Sequence, residues 1–266
     1  MASWTRGRTR MQVDLNADMG EGFGDWRMGD DAALLDVVTS ANVACGAHAG
    51  DWDTMAATMR RAAERGVGIG AHPGFPDLQG FGRRRMAMAP ESVGNLVVWQ
   101  FGAARGMAAS LGAQVRHFKL HGALANMASE DEALARAAYE AALRVDPDVI
   151  LLVLAGTAQE RVARSLGARW AGEIFADRGY EDDATLVARG QPGAMVHDPA
   201  EAAARMVRFV KAGAIFSNAG KEIPAACDSI CLHGDGPEAL GIARAVRAAL
   251  EAKGVELRPM EGRREG

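Results

Sequence analysis

The sequence predicts an α/β fold, a seven-stranded parallel β/α barrel of TIM-like type, and three observations lead there. Short apolar segments alternate along the chain with Ala- and Leu-rich segments of helical periodicity. Nearly every apolar segment ends in a polar cluster: DLNADMGEGFG from Asp14, ANVACGAHAGD from Ala41, GAHPGFPDLQGFGRR from Gly70, KLHGALAN from Lys119, EIFADRGY from Glu173 and CLHGDGPEA from Cys231. An open doubly wound sheet feeds its ligand from a few strands at one switch point, whereas a barrel loads the ends of almost all of them. Finally, 266 residues without a Pro/Ser/Gly-rich linker fit one domain of this size.

The strands are expected over residues 11–16, 37–45, 67–71, 115–120, 149–154, 170–175 and 228–232, each short, apolar and ended by Gly or polar residues. Helix starts are marked by Pro90 at a first-turn position, by Ser129 with Glu132 three residues on, and by Asp198 with Pro199 and Glu201. Val93, Leu96, Val97, Phe101 and Leu111 repeat at helical spacing behind the first of these. The domain is expected over residues 11–260, with 1–10 and 261–266 as flexible tails. Residues 1–10 carry Arg6, Arg8 and Arg10 but lack the apolar run of a secretory signal. No stretch of about 18 apolar residues suggests a transmembrane helix.

Composition excludes some functions. Thirty Lys and Arg against 34 Asp and Glu, without a basic stripe, leave no nucleic-acid footprint. Three cysteines without paired spacing fit a reducing, cytoplasmic setting, and Cys227 and Cys231 read as packed small residues.

Strand parity sorts the polar residues. Side chains two apart share a face, so Asp14, Asn16 and Asp18 point to one side and Val13, Leu15 and Ala17 to the other, the polar set facing the barrel interior. Lys119 and His121 likewise share a face, as do Glu173 and Phe175. Burying such groups is costly unless they pair or bind something, so these residues form either an internal salt-bridge lattice or a site, and several converging on one rim favour a site. His117 and His121 form an H-x-x-x-H, but four residues of strand span roughly 13 Å, too far for one metal ion. His117 is expected to be structural or at the rim and His197 exposed. His48, His72, His121 and His233 follow apolar segments directly and have Gly or Ala neighbours that leave room for a ligand. A divalent ion held by some of these four with Asp14 or Asp51 is compatible with this pattern but not demanded by it.

Gly66-Val-Gly68-Ile-Gly70-Ala71 matches a dinucleotide fingerprint in letters only, since it follows a helix and runs into a strand; it reads as a helix stop and strand entry. No phosphate-binding G-x-x-x-x-G-K-[ST] occurs. HGDGPEA at His233–Ala239 reads equally as an anion-binding helix start or a plain βα turn.

Taken together, the six motifs resemble the LamB/YcsF family, in family order and spacing, from about Met11 to Pro259. Leu120 and Ala125 depart from the Pro and Tyr usual there. The resemblance implies a barrel similar to the glycoside hydrolase and deacetylase group. It also implies the A subunit of a prokaryotic 5-oxoprolinase, in which ATP is a co-substrate and partner subunits B and C share the opening of 5-oxo-L-proline to L-glutamate. The missing nucleotide motif agrees with that division of labour.

On this reading Asp14, Lys119, His121, Glu173 and Asp177 are the catalytic candidates. Lys119 suits a substrate carboxylate or developing oxyanion, and the carboxylates suit acid/base work. Asn16, Asp18, Glu21, Asn42, His48, Asp51, His72, Arg178, His233 and Asp235 are substrate-binding candidates, with Arg178 as an anion clamp. Asp14, His48 and His72 are the metal candidates. Arg83 and Arg84 are alternatively available to a partner, and homo-oligomerisation is left open. Two other readings compete: a metal-dependent carbohydrate deacetylase, and a non-catalytic subunit that binds 5-oxoproline.

Overall fold

The computed structural model describes residues 11–233 and 238–264. In chain order the elements are β1 (Gln12–Met19), α1 (Asp31–Leu35), β2 (Ser40–Ala44), α2 (Trp52–Glu64), β3 (Gly68–His72), α3 (Pro90–Ser110), β4 (Val115–Lys119), α4 (Gly122–Glu130), α5 (Glu132–Val145), β5 (Ile150–Leu154), α6 (Ala158–Ser165) and β6 (Trp170–Phe175). There follow α7 (Pro199–Ala212), β7 (Ala214–Phe216), β8 (Glu222–Pro224), β9 (Ser229–Leu232), α8 (Ala239–Ala252) and β10 (Glu256–Leu257). Strands β1 to β6 pair in sequence order, β6 pairs with β9, and β9 pairs back to β1, all in parallel. The barrel is therefore closed with seven strands, as the polar strand ends predict.

Its register explains the sequence pattern. Ser229 lies opposite Asp14 and Glu173, Asn42 opposite Asp18, Gly70 opposite Asn42, and Lys119 opposite Leu152, so alternate residues of every strand line the interior. The intervening residues Val13, Leu15, Ala17, Val43, Phe118, Leu151, Val153 and Ile174 join the main apolar core with the helices. A small separate cluster of Ile150, Leu152, Ala171 and Met260 fills the barrel interior on the β5–β6 side.

Local chemistry fixes the helix ends. Pro90 opens α3, where its missing N–H costs nothing, and Asp198 caps α7 by accepting from the Glu201 N–H at 2.7 Å. The expected start at Ser129 is corrected. Ser129 lies inside α4 with its hydroxyl on the Asn126 carbonyl, and Asp131 caps α5 by accepting from Ala133 and Leu134 N–H groups. Asp131 offers a carboxylate rather than a hydroxyl, and it ends one helix while starting the next. Gly66, at φ +68°, stops α2 just before β3, as the G-x-G-x-x-A reading required.

Three features escaped the sequence. The β7–β8 hairpin has strands of three residues each, too short to show a period. Strand β10 adds two residues beside the start of β1. The tail expected to be flexible is tied down over 261–264: Arg263 exchanges backbone hydrogen bonds with Trp170 at 2.8 and 3.0 Å and pairs with Asp228. Residues 1–10 and 265–266 lie outside the described residues. Among the described residues no helix is long and apolar enough to cross a membrane.

Candidate functional site

The interior polar residues stack in three levels along the barrel axis. At the lowest, the Asp14 carboxylate accepts hydrogen bonds from the hydroxyls of Thr39 (2.7 Å), Ser40 (2.6 Å) and Ser229. Burial pushes the Asp14 carboxyl up, and these hydroxyls oppose it. In the middle, Asn42 Nδ2 donates to Asn16 Oδ1 at 2.7 Å, Asn16 Nδ2 donates to Ser229 Oγ at 2.7 Å, and His117 Nε2 lies 2.7 Å from Asn42 Oδ1. His117 fits because Gly70 faces it; a Cβ at that position would lie 2.0 Å from Nε2. Burial and the Lys119 charge lower the His117 pKa to about 3, so this imidazole is neutral.

The upper level carries the reactive groups. Lys119, 3% exposed, lies 2.8 Å from Asp18 Oδ1 and 2.8 Å from Glu173 Oε1, with Cys231 Sγ at 3.1 Å and the Phe175 ring beside it. Burial opposes its charge, but the two carboxylates hold the ammonium well above its ordinary pKa. Burial alone would likewise raise Asp18, whereas His72 and Lys119 hold it well below the usual carboxylate range. Neither Glu173 oxygen accepts a hydrogen bond of good geometry among the described residues, so its tie to Lys119 is an ion pair by proximity. Burial keeps Cys231 a thiol.

Beside this pair three histidines pack at the strand ends. His48 stacks on His121 with ring centroids 3.7 Å apart, and His72 meets both rings edge-on. Burial, with the neighbouring imidazoles, holds His48 and His121 well below the ordinary histidine pKa. His48 has no hydrogen-bond partner at either nitrogen among the described residues. Phe81, in the left-handed region at φ 53°, turns its carbonyl to His121 Nε2 at 2.9 Å. At the mouth, His233 Nδ1 donates to Asp177 at 2.8 Å, and this contact overrides burial to lower the Asp177 pKa. A cavity of about 310 Å³ opens here, lined by Asp18, His72, Lys119, His121, Arg178 and His233 among others. A larger cleft of about 420 Å³ lies outside the barrel between the Gly22–Ala32 segment and α2, and no His or Lys lines it.

The structure thus gathers Asp18, Glu21, His48, His72, Lys119, His121, Glu173, Asp177 and His233 toward one rim, with Asn16 and Asn42 beneath. It separates the others. Asp14 is corrected to the opposite end of β1, four residues or roughly 13 Å from Asp18, because parity gives a face but not a height. It therefore cannot share a metal with His72. Asp51 is also corrected: it caps α2, accepting from the Thr54 N–H at 2.8 Å and the Gly24 N–H at 2.6 Å. Arg178 lines the cavity, but its Nε and Nη2 donate to the carbonyls of Ala194 and Val187, which limits it as an anion clamp. Arg84 is held by Asp77, while Arg83 lies over the Phe81 ring and lines the cavity. Asp235 and the rest of 234–237 lie outside the described residues. Cys231 and Phe175 were not singled out as site residues, although their alternation with Ser229 and Glu173 carried the signal.

The LamB/YcsF family model matches residues 13–265. The chain belongs to the LamB/YcsF family. A relative from Ruegeria pomeroyi, named as the A subunit of 5-oxoprolinase, is 62% identical over 94% of this chain and 99% of its own. A second of that name from Azorhizobium caulinodans is 49% identical over 93% of this chain and 98% of its own. The crystal structure of a lactam utilization protein from Thermus thermophilus superposes with a TM-score of 0.87, at 44% identity over 93% of this chain and 99% of the other. Each of these matches covers 93–94% of this chain, so the rim lies within the aligned part.

Proposed function

We propose that this chain is the A subunit of an ATP-dependent 5-oxoprolinase, which hydrolyses the lactam of 5-oxo-L-proline to L-glutamate with partner subunits B and C. One observation carries the reading: a buried ammonium, Lys119, held between Asp18 and Glu173 at the floor of a cavity of about 310 Å³. That volume suits a small molecule, and a fixed positive charge in a low-dielectric floor suits its carboxylate or a developing oxyanion. The names borne by close relatives support the same substrate.

An unstrained lactam resists water, and ATP supplies the missing drive. Transfer of the γ-phosphoryl group to the lactam oxygen releases ADP; water then adds to that carbon. The C–N bond breaks as the nitrogen takes a proton, leaving a γ-glutamyl phosphate, and a second water releases phosphate and glutamate. The sequence has no G-x-x-x-x-G-K-[ST] motif, so nucleotide chemistry is assigned to the partner subunits. Proton movement is assigned to the Asp177–His233 pair at the mouth, a role supported by the contact of Asp177 with the imidazole Nδ1. A cytoplasmic setting is part of the proposal and accords with three free cysteines.

The test is ATP-dependent glutamate release from 5-oxoproline by reconstituted A, B and C subunits. Release is expected only with this chain present and is expected to fall at least 100-fold with Lys119→Ala. Undiminished release from B and C alone would reject the assignment, and full activity of the variant would reject the role of Lys119.

A further inference from the structure

With both rings neutral, the hydrogen bonds of His72 and His121 leave a gap that no proton fills. His72 Nδ1 lies 2.9 Å from the Lys119 carbonyl and His121 Nε2 lies 2.9 Å from the Phe81 carbonyl. A carbonyl only accepts, so each of those nitrogens carries a proton, and in the neutral ring it is the only one. The other nitrogens, His72 Nε2 and His121 Nδ1, then present lone pairs to each other at 3.1 Å. Asp18 Oδ2, another acceptor, is 3.3 Å from His72 Nε2. Three acceptors thus converge, each buried and none with a donor of its own at this point.

From this we propose that Asp18, His72 and His121, joined by Glu21, form a binding site for a first-row divalent transition-metal ion, with zinc the best fit. Ligand atoms of all four residues lie within 4.8 Å of one another. A tetrahedral zinc ion with bonds of about 2.0–2.1 Å sets its ligands about 3.3 Å apart, close to the 3.1 Å between His72 Nε2 and His121 Nδ1 and the 3.3 Å between His72 Nε2 and Asp18 Oδ2. Two imidazoles with carboxylate oxygens and no thiolate are the donor set for zinc and its neighbours rather than for calcium or magnesium. The two carbonyls act as metal-site supports do: each takes the far N–H of a ligating imidazole, fixing tautomer and ring orientation. Asp18 divides its oxygens, giving Oδ1 to Lys119 and Oδ2 to this gap. A neighbouring set, Asp18 with Cys231 and His233, is disfavoured because the Lys119 ammonium already lies against two of its three members. Asp14 and His48, expected from sequence among the ligands, are not in the set.

The readout is metal uptake by the full chain, which is independent of the substrate assigned above. Metal-free protein is titrated with Co²⁺, followed by visible ligand-field absorption, and then with Zn²⁺. One Co²⁺ per chain with four- or five-coordinate bands, displaced by one Zn²⁺, is expected. Asp18→Asn and His72→Ala, checked for folding by circular dichroism, are expected to lose at least 100-fold in affinity, whereas His197→Ala on the surface keeps it. X-ray absorption on the Zn²⁺-loaded wild type needs no variant and should count two imidazole ligands. No uptake of either ion by the folded wild type would mean that a proton on His72 bridges the three acceptors, and the proposal fails. It fails equally if the ion binds without imidazole ligands or if the two variants bind it as the wild type does.

Discussion

Lys119 Nζ lies 2.8 Å from Asp18 Oδ1, with both side chains almost fully buried inside the barrel. A pair so placed is weak evidence for stability while intact, but removing one partner leaves uncompensated charge. Lys119→Met should therefore destabilise the fold by about 3–5 kcal/mol, measured by urea unfolding, because Asp18 and Glu173 lose their shared counter-charge. The triple replacement with Asp18→Asn and Glu173→Gln should recover much of that loss. No recovery would show that the lysine stabilises by packing alone.

Asp14 gives a pH signature at the other end of the barrel. Its folded pKa is raised above 3.8 by burial, so from pH 3.8 up to the raised value the native state holds a proton that the unfolded chain has released. Stability conferred by that proton falls as pH rises through this window. The difference in unfolding free energy between wild type and Asp14→Asn should change across the window and be flat on either side. Asp14→Asn should also keep turnover, since the residue lies below the rim; loss of turnover with an intact fold would return Asp14 to the catalytic set.

Gly70 is needed for space rather than for backbone freedom. A Cβ there meets the His117 ring at 2.0–2.4 Å, and that ring is pinned by Asn42. Gly70→Ala should cost about 1–3 kcal/mol of stability by overpacking. In a His117→Ala background the same change should cost far less, and a double-mutant cycle by thermal unfolding measures the coupling. Equal costs in the two backgrounds would refute the steric account.

Under the proposed function Asp177 orients rather than reacts. Because it holds His233 through Nδ1, Asp177→Asn should lower turnover of the reconstituted enzyme by at least about 10-fold, as expected when a buried partner that fixes a working imidazole is altered. Binding of 5-oxoproline should change little. An unchanged turnover number would remove the pair from the proton path.

Much of the barrel was legible because its signals are local. Seven apolar runs, six of them ending in a polar cluster, correspond to the seven barrel strands, and the period of two puts Asn16, Asp18, Lys119 and Glu173 on the inner face. Asp14 shows the limit. It satisfied the same parity, but distance along the axis depends on where the partner strands begin, and Ser229 meets Asp14 only because β9 closes on β1. Asp51 failed for another reason: a carboxylate before a helix serves as a cap or as a ligand, and the backbone N–H groups of Thr54 and Gly24 decided between them.

By itself the sequence determined the alternation of strands and helices, the polar lining of the barrel and the supply of histidines to one rim. These follow from side-chain period, turn residues and the cost of burying polar groups. Only the tertiary structure decided which nitrogens of those histidines face one another. His72 takes its tautomer from a carbonyl 47 residues away and His121 from one 40 residues away. Hydrogen-bond direction is a property of groups brought together by folding, so the three facing acceptors, and the ion proposed to join them, exist only once the barrel has closed.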